Sequence, residues 1–219
     1  MVAEHDDDGA VPVAAAPSAW RRALPALAAA AAVAALSAAF TFVPWLHAHG
    51  LYLRDALMLP GGERQWWRLL TAMWVHLDGR HWLGNLLAAS GLLLLAGRAA
   101  GARQMLLALL VCGIAVQVAL LWQPAVRWYG GLSGALHGLA VWGALRLLAA
   151  DRWSRAIGVA LAAGVLVKLW LEQSWLAPVR FDAAWGFGVV RAAHAAGAVA
   201  GFAWWLAQQW WGQRRAAVG

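Results

Sequence analysis

Charged residues are scarce in this chain, and their scarcity argues against a soluble protein. They make up 12% of the 219 residues, whereas hydrophobic residues make up 63%. A soluble globular chain is about half apolar and about a quarter charged. The composition therefore predicts an integral membrane protein in contact with membrane lipids. The arginines behind the net charge of +7 lie scattered between apolar runs. Because they form no basic stripe, we expect no nucleic-acid partner.

Cysteine is nearly absent, because Cys112 is the single one in the sequence. A disulfide within the chain is therefore excluded, and a lone cysteine inside an apolar run is typical of a small packing residue. His76 and His81 could suggest a metal site, but no cysteine and few carboxylates accompany them. We accordingly expect neither a metal nor a cofactor.

What the sequence does contain is a series of long apolar runs. Six runs approach the roughly 20 residues that a helix needs to cross a bilayer. They cover residues 23–43, 81–97, 104–122, 132–149, 155–172 and 192–211. We predict an all-α polytopic membrane protein with a bundle of six transmembrane helices.

The regions outside these runs complete the predicted organisation. Residues 1–19 are acidic and rich in alanine and proline, which predicts a disordered N-terminal tail. The membrane domain covers 20–211, and 212–219 form a short C-terminal tail. The connection 44–80 is amphipathic, so we expect it to lie at the membrane interface. We find no internal repeat and no second domain.

The distribution of arginine in the short loops predicts the orientation. These loops are richer in arginine on the side of the N-terminus, which by the positive-inside rule is the cytoplasm. Both tails are then cytoplasmic, and the first turns of spans two, four and six lie at the outer face. We expect the protein in a bacterial inner membrane.

Polar side chains gather at the starts of spans two, four and six. His81 and Asn85 are four residues apart on span two, Ser133 and His137 are four apart on span four, and His194 begins span six. Residues four apart share a helix face. Because even-numbered spans run in one direction, these side chains should lie at similar depth on one side. Polar groups inside membrane spans indicate function.

Glycines at intervals of four accompany these polar residues. Gly130, Gly134 and Gly138 lie on span four, and Gly197 and Gly201 lie on span six. Small residues at this spacing allow helix backbones to approach closely. A serine and a histidine need such an approach to come within the roughly 2.6–3.2 Å required for nucleophilic catalysis.

These residue types in this arrangement suit a serine hydrolase that lacks the usual aspartate. Ser133 lies at a helix N-terminus, where free N–H groups and the helix dipole favour an oxyanion. Asn85 can donate its amide to the same charge, and His194 can take the serine proton. His137 is an alternative base, because helical side chains lean towards the N-terminus. We favour His194 and regard His137 as a neighbour of the site.

Three motifs resemble those of the rhomboid family of intramembrane serine proteases. They are "HWLGN" on span two, "GLSG" on span four and "AHAAGAVAG" on span six. The resemblance implies a nucleophile at Ser133, a base at His194 and oxyanion contacts from His81 and Asn85. It implies membrane-anchored protein substrates. "WWRLL" resembles a further element of the family, which marks Trp67 and Arg68 as structural.

A narrower resemblance is to the rhombosortase branch. The strings "GLSGALHG" and "KLWLEQ" and the small size are similar to that branch. The branch implies substrates that carry a C-terminal Gly-Gly anchor. The alternative function is a non-catalytic rhomboid-like protein that binds and escorts transmembrane clients. A transporter is less favoured, because the chain lacks repeat symmetry.

Lys168 and Glu172 form a further polar pair near the outer end of span five. The two residues are four positions apart, and oppositely charged residues at this spacing are typical of an ion pair whose charged ends reach towards the interface. A role in holding substrate is the alternative.

Overall fold

The computed structural model describes residues 19–58 and 64–218, and it is built mainly from helices. The predicted N-terminal tail lies outside the described residues, apart from Ala19. In chain order the helices are α1 (Ala19–Phe42), α2 (Pro44–Gly50), α3 (Arg54–Met58), α4 (Arg68–Thr71), α5 (Gly79–Ala96), α6 (Ala102–Leu120), α7 (Ser133–Leu148), α8 (Arg152–Glu172) and α9 (Arg191–Val218), with a 3-10 turn at Ala72–Trp74.

Each predicted apolar run coincides with one long helix, namely α1, α5, α6, α7, α8 or α9. Within the described residues, three segments are long and apolar enough to cross a membrane by length and composition: Ala23–Phe42, Ala102–Leu120 and Arg152–Glu172. That all six long helices span the membrane stays a prediction. α9 continues to Val218, through most of the residues predicted as the C-terminal tail.

In the part of the chain that the structure describes, two short strand pairs add to the helices, and the all-α prediction did not include them. β1 (Tyr52–Leu53) pairs with β2 (Trp128–Tyr129), and β3 (Arg180–Asp182) pairs with β4 (Phe187–Val189), both antiparallel. Strands of two or three residues are too short to show the alternating pattern that identifies a strand in a sequence.

α7 is the central helix of the bundle. It packs against α5, α6, α8 and α9, and residues on every side of it are buried, including Trp142. A helix that is apolar all round is typical of such an enclosed position. The start of α7, where Ser133 lies, is therefore surrounded by other elements.

Glycines bring α7 and α9 into backbone contact, as the sequence predicts. A Cβ atom added at Gly197 would overlap the carbonyl group of Gly134, and one added at Gly201 would overlap that of Gly138. Cys112 of α6 packs against Gly138 from another side, with its Sγ atom 2.5 Å from the Cβ position there. The predictions of a close helix approach and of a packing role for Cys112 are confirmed.

Arg68 organises the long connection between α1 and α5. Its side chain is buried and donates hydrogen bonds to the carbonyl oxygens of Ala48 and Leu51, at 3.1 and 2.7 Å, and to the Gln65 side chain. Trp67 donates to the carbonyl oxygen of His49. These contacts fit the structural role implied for both residues.

Candidate active site

The loop before α7 holds Ser133 at the first residue of the helix. Gly131 has φ +134°, a conformation that favours glycine, and the Tyr129 hydroxyl donates to its carbonyl oxygen at 3.0 Å. Burial raises the pKa of Tyr129 to about 12, so this phenol remains a hydrogen-bond donor. The loop therefore delivers Ser133 to the N-terminus of a buried helix, where N–H groups of the first turn lack helical partners.

His194 lies in the first turn of α9, next to Ser133. Its Nε2 atom is 3.1 Å from Ser133 Oγ, which is within hydrogen-bond distance. The imidazole is almost fully buried. The glycine contacts between α7 and α9 lie just below this pair, so they position both side chains.

His137 lies beside the pair and contacts it differently. Its ring stacks on that of His194, with centroids 4.2 Å apart and an interplanar angle of 14°. Its Nδ1 atom is 2.7 Å from the main-chain oxygen of Ser133 and can donate to it. This geometry makes His137 a support for the other ring, whereas His194 is the imidazole that reaches the hydroxyl.

His81 and Asn85 face the same cavity from α5. Asp78 caps this helix and accepts a hydrogen bond from the His81 main-chain N–H at 2.7 Å. The cap fixes the first turn of α5, which carries His81 at the cavity. The Asn85 amide donates to the His81 carbonyl oxygen at 3.0 Å and has a second N–H available. Both side chains line the cavity together with Ser133, His137 and His194.

Comparison with known proteins identifies the fold. A sequence model of the Rhomboid domain matches residues 63–209, which is well over half of the chain. The chain belongs to the rhomboid family. The matched range includes every residue of the candidate site. No curated protein matches the chain. This rhomboid is an integral membrane protein of a family whose members are generally serine intramembrane proteases.

The rhomboid has a carboxylate at its site that sequence reasoning did not place there. Glu172 Oε2 lies 2.7 Å from His194 Nδ1, on the opposite edge of the ring from Ser133. The other carboxylate oxygen lies 2.6 Å from Lys168 Nζ, so the predicted Lys168–Glu172 pair is confirmed. The pairing with His194 joins residues 22 positions apart on different helices, and only their shared depth could have indicated it.

The cavity of this rhomboid, about 710 Å³ in volume, runs between α5 and α8. Small residues line much of it: Gly84, Ala88 and Gly91 on α5, and Ala160 and Gly164 on α8. The β3–β4 hairpin covers one end, where Phe187 and Trp185 lie 5.3 and 5.9 Å from the His81 ring. Arg80 donates to the Ala184 carbonyl oxygen and so attaches the hairpin to α5.

Among the described residues, His137, Glu172 and His194 are the group that could offer ligands to a metal ion, with ligand atoms within 4.8 Å of one another. The His137 and His194 rings are nearly parallel, so their nitrogen lone pairs do not converge on one point. The Nδ1 atom of each ring already has a hydrogen-bond partner. Convergent lone pairs are needed to coordinate one ion, so this geometry suits hydrogen bonding better.

His76 lies outside the candidate site, although its ring contacts that of His81 edge-on at 5.0 Å. It is fully buried and its Nδ1 atom is 3.2 Å from the carbonyl oxygen of Trp74. Burial, with a smaller contribution from His81, lowers the pKa of His76 to about 3. A neutral imidazole in this position acts as a core residue.

Proposed function

We propose that this rhomboid is an active intramembrane serine endopeptidase in which Ser133 is the nucleophile and His194 the base. The observation that carries the proposal is the 3.1 Å separation of Ser133 Oγ and His194 Nε2 inside a cavity between helices. Nucleophilic catalysis by serine needs a base at this distance. His137 contacts the main chain of Ser133 and is assigned a supporting role.

The reaction follows from the positions of these atoms. Ser133 Oγ attacks the carbonyl carbon of the client, its proton passes to His194 Nε2, and the carbonyl electrons move to the oxygen. When the C–N bond breaks, the leaving amine takes the proton from Nε2. Water then attacks the acyl group, gives a proton to Nε2, and Ser133 leaves with that proton.

The developing oxyanion has donors on two sides. The first-turn N–H groups of α7 lie next to Ser133, and α5 presents the Asn85 amide and the His81 ring. Donors fixed before the reaction stabilise such a charge strongly, because they need no reorganisation when the charge develops. We assign oxyanion stabilisation to Asn85 and to the α7 N-terminus, and an orienting role to His81.

The client that we propose is a membrane-anchored protein with small residues at the cleavage site. Several glycine and alanine residues line the cavity wall, so a client backbone can approach the wall closely. Glycine costs about 1 kcal/mol relative to alanine in a helix, so a Gly-Gly pair opens readily. Together with the strings "GLSGALHG" and "KLWLEQ", this supports a rhombosortase-type enzyme that trims C-terminal Gly-Gly anchors at the outer face of a bacterial inner membrane.

A fluorophosphonate probe tests the nucleophile directly. The wild-type protein in detergent should be labelled at Ser133, and Ser133→Ala should lose labelling and client cleavage together. Ser90→Ala is a matched control, because Ser90 lies on α5 outside the cavity lining. Full labelling of Ser133→Ala, or a wild-type protein that binds clients without cleaving them, would favour the client-escorting alternative.

The client is tested in the host. Deletion of the gene should leave exported proteins with C-terminal Gly-Gly anchors intact and membrane-retained, as seen by mass spectrometry of their C-termini. Normal trimming in the deletion strain would assign the enzyme to other transmembrane clients.

A further inference from the structure

We propose that Glu172 is the third member of a Ser133–His194–Glu172 triad, as a positioning residue that holds the His194 imidazole in its reactive form. This inference rests on the proposed function of Ser133 and His194. It concerns a residue on α8, the helix that forms one wall of the cavity, and it adds a carboxylate to the catalytic pair of Ser133 and His194 that the sequence predicts.

The location of Glu172 is unfavourable unless its carboxylate has partners. Glu172 is the last residue of α8, and a negative charge at a helix C-terminus opposes the helix dipole. Its side chain is only 15% exposed. A buried carboxylate must be paired and hydrogen-bonded. Lys168 is one partner, but it contacts a single oxygen and is itself about half exposed.

The second oxygen is directed at His194. Glu172 Oε2 lies 2.7 Å from His194 Nδ1, and the histidine side chain is only 5% exposed. A neutral imidazole has one donor and one acceptor nitrogen. An ionised carboxylate only accepts, so it keeps the proton on Nδ1 and leaves the Nε2 lone pair facing Ser133 Oγ. The hydroxyl proton can then move to Nε2.

The same contact favours the charged form of the ring. When Nε2 takes the serine proton, both ring nitrogens carry hydrogen and the imidazolium lies directly beside the carboxylate. The Nδ1 proton stays on the ring throughout, and Glu172 remains ionised. The carboxylate therefore stabilises the state in which the tetrahedral intermediate exists, without itself exchanging a proton.

Neighbouring main-chain contacts hold Glu172 close to the start of α9. Arg191 at the start of α9 donates to the Glu172 carbonyl oxygen at 2.7 Å. Gln173 follows in a left-handed conformation with φ 48°, which ends α8 at this point. The end of α8 is thus tied to the helix that carries His194, as a positioning role requires.

The decisive variant is Glu172→Gln, which keeps the shape and removes the charge. Glutamine can donate to Nδ1 and so stabilise the wrong tautomer. We expect fluorophosphonate labelling of Ser133, and kcat for client cleavage, to fall by roughly 10²–10⁴-fold with little change in KM. Lys168→Met should cause a much smaller loss, and Glu172→Asp should retain more activity than Glu172→Gln. Asp55→Asn, which removes a carboxylate from the exposed Asp55–Arg127 pair, should leave labelling unchanged.

A second measurement requires no variant at Glu172. In wild-type protein carrying ¹⁵N-labelled histidine, the signal assigned with His194→Gln should show the proton on Nδ1. A neutral His194 protonated at Nε2, wild-type labelling in Glu172→Gln, or equal losses in Glu172→Gln and Lys168→Met would each overturn the triad. In those cases Ser133→Ala would still lose activity. Activity in Ser133→Ala would instead refute the proposed function itself.

Discussion

At the scale of single residues, the candidate site is a set of polar side chains within hydrogen-bond distance of one another inside an apolar helical bundle. Ser133, His194 and Glu172 form a chain of hydrogen-bond distances of 3.1 and 2.7 Å across α7, α9 and α8. His137 covers one face of the central ring. Each ring nitrogen of His194 has one partner, so the orientation of the imidazole is determined on both sides.

Asn85→Ala tests the oxyanion assignment. Removal of one pre-positioned donor should lower kcat by roughly 10²–10³-fold with KM nearly unchanged, because the amide acts on charge that appears only in the transition state. Steady-state kinetics on a purified client measure this, with Ser90→Ala on the same helix as the control. Unchanged turnover would remove Asn85 from the site.

Much of this residue-level arrangement was predictable. The starts of same-direction spans lie at one depth, which brings His81, Ser133 and His194 to a single cavity. The same rule covers Glu172, since an odd-numbered span ends where even-numbered spans begin. The contact between Glu172 and His194 is nevertheless hidden in the sequence, because the spacing of Lys168 and Glu172 on one helix already supplies a partner for the carboxylate. The ring stacking of His137 depends on side-chain rotation, which spacing alone does not determine.

At the scale of elements, the contact between α7 and α9 determines the distance between Ser133 and His194. The contact is made by main-chain atoms at Gly134, Gly138, Gly197 and Gly201. Spacing predicts which glycines face each other. The short strands around the loops depend on long-range pairing, such as Tyr52 opposite Tyr129, and no local pattern reports it.

Gly201→Ala should destabilise the protein and reduce its activity. The added methyl group would overlap the Gly138 carbonyl, and overpacking of this kind costs about 1–3 kcal/mol. We expect a lower Tm in detergent and slower fluorophosphonate labelling. Gly212→Ala on the same helix is the matched control, because no neighbouring atom lies within 4 Å of its Cβ position. A Gly201→Ala protein as stable and as active as that control would contradict the close approach.

At the scale of the whole molecule, the cavity between α5 and α8 connects the site to the side of the bundle. Its wall continues along α5 from His81 to Leu95, about four turns below the hairpin. A client helix that enters the cavity here would first contact the small residues of its wall and then the polar side chains at the end covered by the hairpin. Composition predicts the helices of this wall, but the gap between them depends on packing that the sequence does not display.

Gly164→Leu should block the access of a protein client to the site without impairing the reactivity of Ser133. Gly164 lines the cavity on α8, and a side chain there meets open space. Leucine should narrow the path for a protein client and raise KM or abolish cleavage, while a small fluorophosphonate still labels Ser133 at the wild-type rate. Ala163→Leu places a similar bulk on the exposed neighbouring residue, away from the cavity lining, and should cleave normally. Equal cleavage by the two variants would exclude this path.

The glycine contact between α7 and α9 also has a genetic consequence. A clash between two side chains can be relieved by shortening either one: a methyl group at Gly113 would meet the Met73 side chain, so a smaller residue at 73 should suppress Gly113→Ala. At Gly197 and Gly201 the obstructing atoms are carbonyl groups, which every amino acid carries. Selection for revertants of Gly201→Ala should therefore return glycine at position 201 itself and yield few or no second-site suppressors.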